Sequence, residues 1–204
     1  MGLLAAIWTQ SSLPMLPPAP AFLSALRRAG RERFEALGLP TTRLEDWRFT
    51  SVAPLAGHDF APGAPSAPLP VAALERSAGP PCGARLVFVN GRFRPELSAA
   101  GGLPGGVHAG SLERAAADRP GLVEAHLGRV SSTEERPFAA LNDAFLADGA
   151  LVHVPAGVSA EPLELVFVTA AAAAATAVHP RVLVVAERDS RATLVETYVA
   201  LGPG

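Results

Sequence analysis

The chain has 204 residues, 49% of them hydrophobic and 18% charged, with a formal net charge of -2. That balance is enough to bury one sizeable core or two small ones, and it excludes a disordered chain; dispersed acidic residues and no broad positive field argue against nucleic acid as a partner. The single cysteine, Cys82, excludes an intramolecular disulfide and a four-thiolate metal site within one chain, and fits a reducing cytoplasm.

The opening run MGLLAAIW is apolar, but no Lys or Arg precedes it and it is far shorter than the roughly 20 residues of a membrane span. Ala6 stands where a myristoylation signal needs Ser or Thr. Neither a leader nor an anchor is expected.

Phe22, Leu23, Leu26, Phe34 and Leu37 fall on one helical stripe, which predicts a helix from Phe22 to Leu37 with Arg27, Arg28 and Arg31 mostly turned to solvent. Gly38 and Pro40 supply the stop, and Gly30 inside it costs about 1 kcal/mol against Ala. In the next stretch, LPTTRLEDWRFT, Thr42 and Glu45 have the spacing of a capping box. Leu44 and Trp47 would then share a face, burying the Trp47 ring against the preceding helix.

Seven prolines between Val52 and Pro81 predict a linker or irregular wrap, interrupted only by the periodic residues Val71 to Leu74. ARLVFVNGRFRPEL then predicts a β-hairpin, because Asn90-Gly91 is the pair that a type I′ turn requires. Ser111 can cap a short helix to about Asp118, and a second short helix runs from Leu122 to Leu127. RPFAALNDAFLADGA predicts a firmer helix, with Pro137 in the first turn, a stripe of Phe138, Leu141, Ala144 and Phe145, and Gly149 as terminator.

From Leu151 the texture changes to four strand runs, LVHV, LELVFVT, RVLVVAE and ATLVETYV. The Ala170 to Ala175 stretch reads as an expanded loop between two of them. The irregular spacing demonstrates no repeat and leaves stacked rungs and an ordinary sheet both open. The last run ends at Val199 with no capping element, which predicts an open sheet edge and a chain that is cut short.

No local motif carries chemistry. His58, His108, His126, His153 and His179 are at least 18 residues apart in sequence, so no H-x₃-H or H-E-x-x-H pair exists. GGLPGG follows no clear strand, and no P-loop or nucleophile elbow is present. Cys82 has no nearby histidine in sequence, and alternation puts His153 on the face opposite Val152 and Val154, as an ordinary hydrogen-bonded or half-exposed histidine. Catalytic, cofactor and metal residues are therefore all expected to be absent.

In series, GLPTTRLEDWRFT, FVNGRF, FAALNDAFLADGALVHVPAGV and HPRVLVVAERDSRATLVETYV resemble the SufD family, of the SufB/SufD-type components of the SUF iron–sulfur cluster assembly system. The resemblance runs in order from about Phe22 to the C-terminus. It implies an α+β fold: a helical N-terminal region followed by the start of a right-handed parallel β-helix, incomplete here. Residues 1–81 would be the helical region and Pro-rich linker, 82–150 a hairpin and short helices, and 151–204 the first rungs. The family's C-terminal helical domain and later rungs have no counterpart in this sequence.

The resemblance also implies a non-catalytic, cytoplasmic scaffold that pairs with a SufB-like subunit and a SufC-like ATPase. No cofactor would be bound by this chain alone, the iron–sulfur cluster being handled by the complex, and neither a membrane nor nucleic acid would be engaged. Within the family, the LEDWRFT pattern and the scarcity of cysteine favour SufD over SufB. Two alternatives stand beside this reading. One is a β-helix carbohydrate-active enzyme, for which Glu187, Asp189 and Glu196 are the carboxylates to consider. The other is a truncated interaction module with no activity.

Overall fold

The computed structural model describes residues 16, 18–58, 60–62, 69, 71–81, 83–170 and 176–201. The readings for the first eight residues, for Cys82 and for the alanine run at 171–175 lie outside them.

Helix α1 spans Ala21–Leu37 and ends at Gly38, as the stripe predicts. Arg27 departs from the expected pattern: it is buried, and its Nε donates to the Leu146 carbonyl at 2.8 Å. Burial holds its pKa below the ordinary arginine range. Gly30 is likewise more than a weak helical residue. A Cβ there would lie 2.7 Å from the Ala140 carbonyl oxygen and the Ala144 nitrogen, so glycine allows close approach of helix α5, Pro137–Ala144. Phe34, Ala140, Leu141, Ala144 and Phe145 pack at this crossing. Gly149 does not end α5, which stops at Ala144. Instead Gly149 sits where a Cβ would collide with the Arg181 carbonyl.

The Pro-rich stretch carries more structure than a linker. A 3₁₀ turn covers Ala53–Gly57, strand β1 (Ala61–Pro62) pairs in parallel with β7 (Thr176–Ala177), and α2 forms over Val71–Ala78. Proline tolerates these places because edge pairing and first turns need few backbone donors.

β2 (Ala84–Val89) and β3 (Arg92–Phe93) form the expected hairpin, with Asn90 at φ 50° and Gly91 at φ 76°. β4 (His108–Ser111) leads into α3 (Leu112–Asp118), where the Ser111 side chain accepts from the Arg114 amide as an N-cap. α4 follows at Pro120–His126. The four strand runs appear as β5 (Ala150–Val154), β6 (Leu163–Ala170), β8 (Val182–Ala186) and β9 (Leu194–Leu201).

These strands do not build the parallel β-helix that the resemblance implies. They lie in a four-stranded sheet, β3-β2-β6-β9, a three-stranded sheet, β4-β5-β8, and the two-stranded β1-β7. Both larger sheets are mixed: β2–β6–β9 and β5–β8 pair in parallel, whereas β2–β3 and β4–β5 are antiparallel. Neither closes or coils into a solenoid among the described residues. The incomplete β-helix and its α+β class give way to an α/β arrangement of open mixed sheets. The physical reason lies in the tight turn at Asn90-Gly91 and the short β4, each of which lays an antiparallel strand along a sheet edge.

Leu86, Phe88, Leu163 and Leu165 meet Ala150, Val152 and Val154 in one apolar cluster between the two larger sheets. The opposite face of the four-stranded sheet is covered by Leu74 of α2, which packs on Val87, Val89, Val166 and Val168. Cover on both faces explains why β2 and β6 read as continuous apolar runs rather than alternating ones. Leu112, Ala115 and Val123 of α3 and α4 join Leu23 of α1 against Leu151, Leu183 and Val185.

Candidate functional site

Trp47 sits in a 3₁₀ turn, Glu45–Trp47, and no capping box forms: Leu44 holds the N-cap position without a side-chain bond. The ring is half-buried and lies 5.3 Å from the Phe138 ring of α5, a partner that the sequence did not indicate. Glu45 and Arg48 make an exposed pair at 3.9 Å. The stretch is therefore a packing device on α5, with its charges in water. Because the ring is only half-buried, Trp47→Ala should cost about 1–2 kcal/mol in urea denaturation, less than full burial would imply.

The histidines occupy separate surroundings. His58 is exposed and meets Phe60 edge-on at 5.9 Å, and His126 is exposed at the end of α4. His108 and His153 are register partners on β4 and β5. Burial, aided by nearby Arg119 and His153, pushes the His108 pKa down. His153 Nε2 lies 2.8 Å from Glu187 Oε1, while Glu187 Oε2 accepts from the Ala156 amide at 3.1 Å. These bonds hold the Glu187 carboxyl below its ordinary pKa, and they fasten the turn after β5 to the turn after β8. His179 stacks on Phe145 at 5.1 Å, and burial lowers its pKa to about 4.

That value has a sign and a window. The folded state disfavours the imidazolium, so stability is complete above pH ~6.5, falls as pH drops, and stops falling below about 4; the loss is on the order of 2–3 kcal/mol. His179→Phe should flatten this limb when stability is compared by denaturant titration at pH 7 and pH 4.5. An unchanged acid sensitivity would contradict the assignment.

The three carboxylates named for an enzyme have different surroundings. Glu187 closes β8 of the three-stranded sheet, Asp189 is an exposed turn residue at φ 59°, and Glu196 on β9 of the other sheet accepts the Tyr198 hydroxyl at 2.7 Å. Among the described residues no group of three His, Cys, Asp or Glu side chains is placed to hold a metal ion. A cleft of about 500 Å³ does open between α1, β3 and α3, bordered by Arg27, Glu113 and Asp148. Glu113 and Asp148 are both engaged within the chain. Arg92 Nη1 bonds Glu113 at 3.2 Å, and burial raises the Glu113 pKa. Asp148 accepts the Ser111 hydroxyl and the amides of Phe93, Glu113 and Gly149.

A second buried polar centre went unread in the sequence. Arg85 on β2 and Glu164 on β6 are register partners, 2.7 Å apart and both nearly inaccessible. Arg85 also donates to the Gly79 carbonyl at 2.8 Å, just past the end of α2. Charges inside strand runs read as solvent-facing unless the register is known, and only the pairing brings these two together. The strongest polar groups thus bind one element of the chain to another.

Comparison with known proteins identifies the family. Residues 6–164 match the family model described as the SufBD protein N-terminal region. The chain is 35% identical over 177 residues to an iron-sulfur cluster assembly SufBD family protein of Synechocystis sp., slr0076, a match that covers 86% of this chain and 39% of that protein. A second Synechocystis protein of the same description, slr0074, is 35% identical over 90 residues, covering 44% of this chain and 18% of that protein. The chain belongs to the SufBD family. It spans about two fifths of the length of slr0076, the relative it matches over most of its own length.

Proposed function

We propose that the chain is the N-terminal region of a SufD-like subunit that acts as a non-catalytic scaffold in iron–sulfur cluster assembly. The match of residues 6–164 to the SufBD N-terminal region carries this reading. Its partners are a SufB-like subunit and a SufC-like ATPase, and its setting is the cytoplasm. No helix among the described residues is long and apolar enough to cross a membrane, which is compatible with that setting. The cluster is cargo of the complex, and the chain holds no cofactor of its own.

The engagement of Asp148, Arg85, Glu164 and Glu187 in bonds within the chain supports a structural contribution rather than a chemical one. SufD is favoured over SufB by the LEDWRF stretch and by a single cysteine in the sequence.

The scaffold reading separates from a catalytic one by mutation. In a complex formed by the chain, carried on to the length of slr0076, with SufB-like and SufC-like subunits, His153→Ala and Glu187→Gln should leave the rate of cluster formation within about twofold of the parent. A general acid or base would be worth roughly 10²–10⁴ in rate, so a loss of that size would contradict the proposal.

A further inference from the structure

Strands β2 and β6 carry the same four residues, Leu-Val-Phe-Val, at 86–89 and at 165–168. The structure lays the two copies side by side in parallel, with Leu86 opposite Leu165, Val87 opposite Val166, Phe88 opposite Phe167 and Val89 opposite Val168. Both strands are interior to the four-stranded sheet and all eight residues are buried. Phe88 stacks on Phe167 with ring centroids 5.0 Å apart.

Such a pair defines its faces well and its register poorly. A slip of one residue would turn every side chain to the wrong face, whereas a slip of two keeps each on its own. Moved two residues one way, Leu86 meets Phe167, Val87 meets Val168 and Phe88 meets the β-branched Thr169. Moved the other way, Leu86 meets Leu163, Phe88 meets Leu165 and Val89 meets Val166. The apolar layers are closely similar in all three alignments.

What a slip does change is polar. In the observed register Arg85 and Glu164 stand opposite one another at the head of the tetrads, 2.7 Å apart and nearly inaccessible. Past the other end, Asn90 reaches across to β6: its Oδ1 accepts the Ala170 amide at 2.9 Å and its Nδ2 donates to the Ala170 carbonyl at 3.3 Å. The first slip sets Arg85 against Val166 and Glu164 against Gly83. The second sets Arg85 against Pro162 and Glu164 against Val87. Either one buries two charges away from each other, and moves Ala170 away from Asn90.

We propose that the Arg85–Glu164 pair and the Asn90 amide are register pins, which choose one alignment among those that the repeated tetrads leave nearly equal. A buried ion pair suits this role because desolvation offsets much of its attraction, so that it contributes alignment more than net stability. The junction is also where alignment matters most, since β2 carries the hairpin strand β3 and β6 carries β9.

Solution NMR of the 204-residue chain tests this without any Suf partner, so its outcome is separate from that of the scaffold reading. The parent should give one set of amide signals for 84–89 and 163–170, with cross-strand contacts in the observed register. Arg85→Leu/Glu164→Leu combined with Asn90→Gly removes both pins while keeping a residue that accepts the positive φ of the turn. It should show a second set of signals, with cross-strand contacts displaced by two residues, in at least about 5% of molecules. Arg85→Glu/Glu164→Arg keeps a pair in place and should retain the single set. If the leucine variant does not fold, Arg85→Met/Glu164→Met with Asn90→Gly gives the same readout from longer side chains. A single, unslipped set in the folded variant lacking both pins would overturn the proposal, as would a slipped set in the reversed pair.

Discussion

Arg85→Ala should destabilise the protein by about 3–5 kcal/mol, because it leaves the Glu164 carboxylate buried without its cation. Glu164 is only 4% exposed and sits beneath α2, between β2 and β9. Its other oxygen accepts from the Thr197 hydroxyl at 3.5 Å. The arginine also holds the end of α2 through the Gly79 carbonyl, where a cation complements the helix C-terminus. Replacing both partners with leucine should cost far less than either single change, since an apolar pair of similar volume removes the desolvation penalty along with the attraction. Urea denaturation of the two single variants and the double variant checks this. A single-variant loss below about 1 kcal/mol would contradict it, as would a double variant equal to the sum of the singles.

Asp148→Ala should be comparably damaging, at about 3–5 kcal/mol, for a different reason. One carboxylate gathers the Phe93 amide at 3.0 Å, the Ser111 hydroxyl at 2.8 Å, the Glu113 amide at 3.0 Å and its neighbour Gly149 at 2.7 Å. It joins β3, the β4–α3 junction and the start of β5 at a single point. Alanine would orphan three backbone donors at once. Asp148→Asn keeps an acceptor oxygen and should lose roughly half as much. That variant also has a signature beyond stability. The Asp148 charge helps burial raise the Glu113 pKa, so neutralising it should let that pKa fall, which carboxyl titration by NMR can follow. A Glu113 titration that does not move would separate the two carboxylates.

What could be read from the sequence was whatever local geometry decides. Asn90-Gly91 specifies its hairpin through two positive φ angles, Ser111 caps α3, Pro137 starts α5, and the four apolar runs become strands. What could not be read depends on residues far apart along the chain. Trp47 was expected against the helix before it, and the sequence did not reveal that its ring meets Phe138 of α5. Arg27 was assigned to the wet face because it is charged, although the Leu146 carbonyl gives it a buried acceptor. The β-helix expectation failed at sheet order: alternation within a run does not reveal whether its neighbour is parallel, and the antiparallel β3 and β4 leave the sheets mixed.

The candidate site follows the same division. Glu187, Asp189 and Glu196 could be named as carboxylates from sequence, but only the structure shows what they bond, Glu187 holding His153 and the Ala156 amide and Glu196 accepting the Tyr198 hydroxyl. The Phe88–Phe167 stack and the Arg85–Glu164 pair each place one residue per strand at a shared register, a relation that no single run of sequence contains.

The most direct test of the scaffold claim is co-expression of a tagged chain carried on to the length of slr0076 with SufB-like and SufC-like subunits, followed by affinity capture and sizing of what is retained. The account predicts a stable complex in which the chain contributes no turnover of its own. Recovery of the chain without either subunit, under conditions where it is folded, would contradict it.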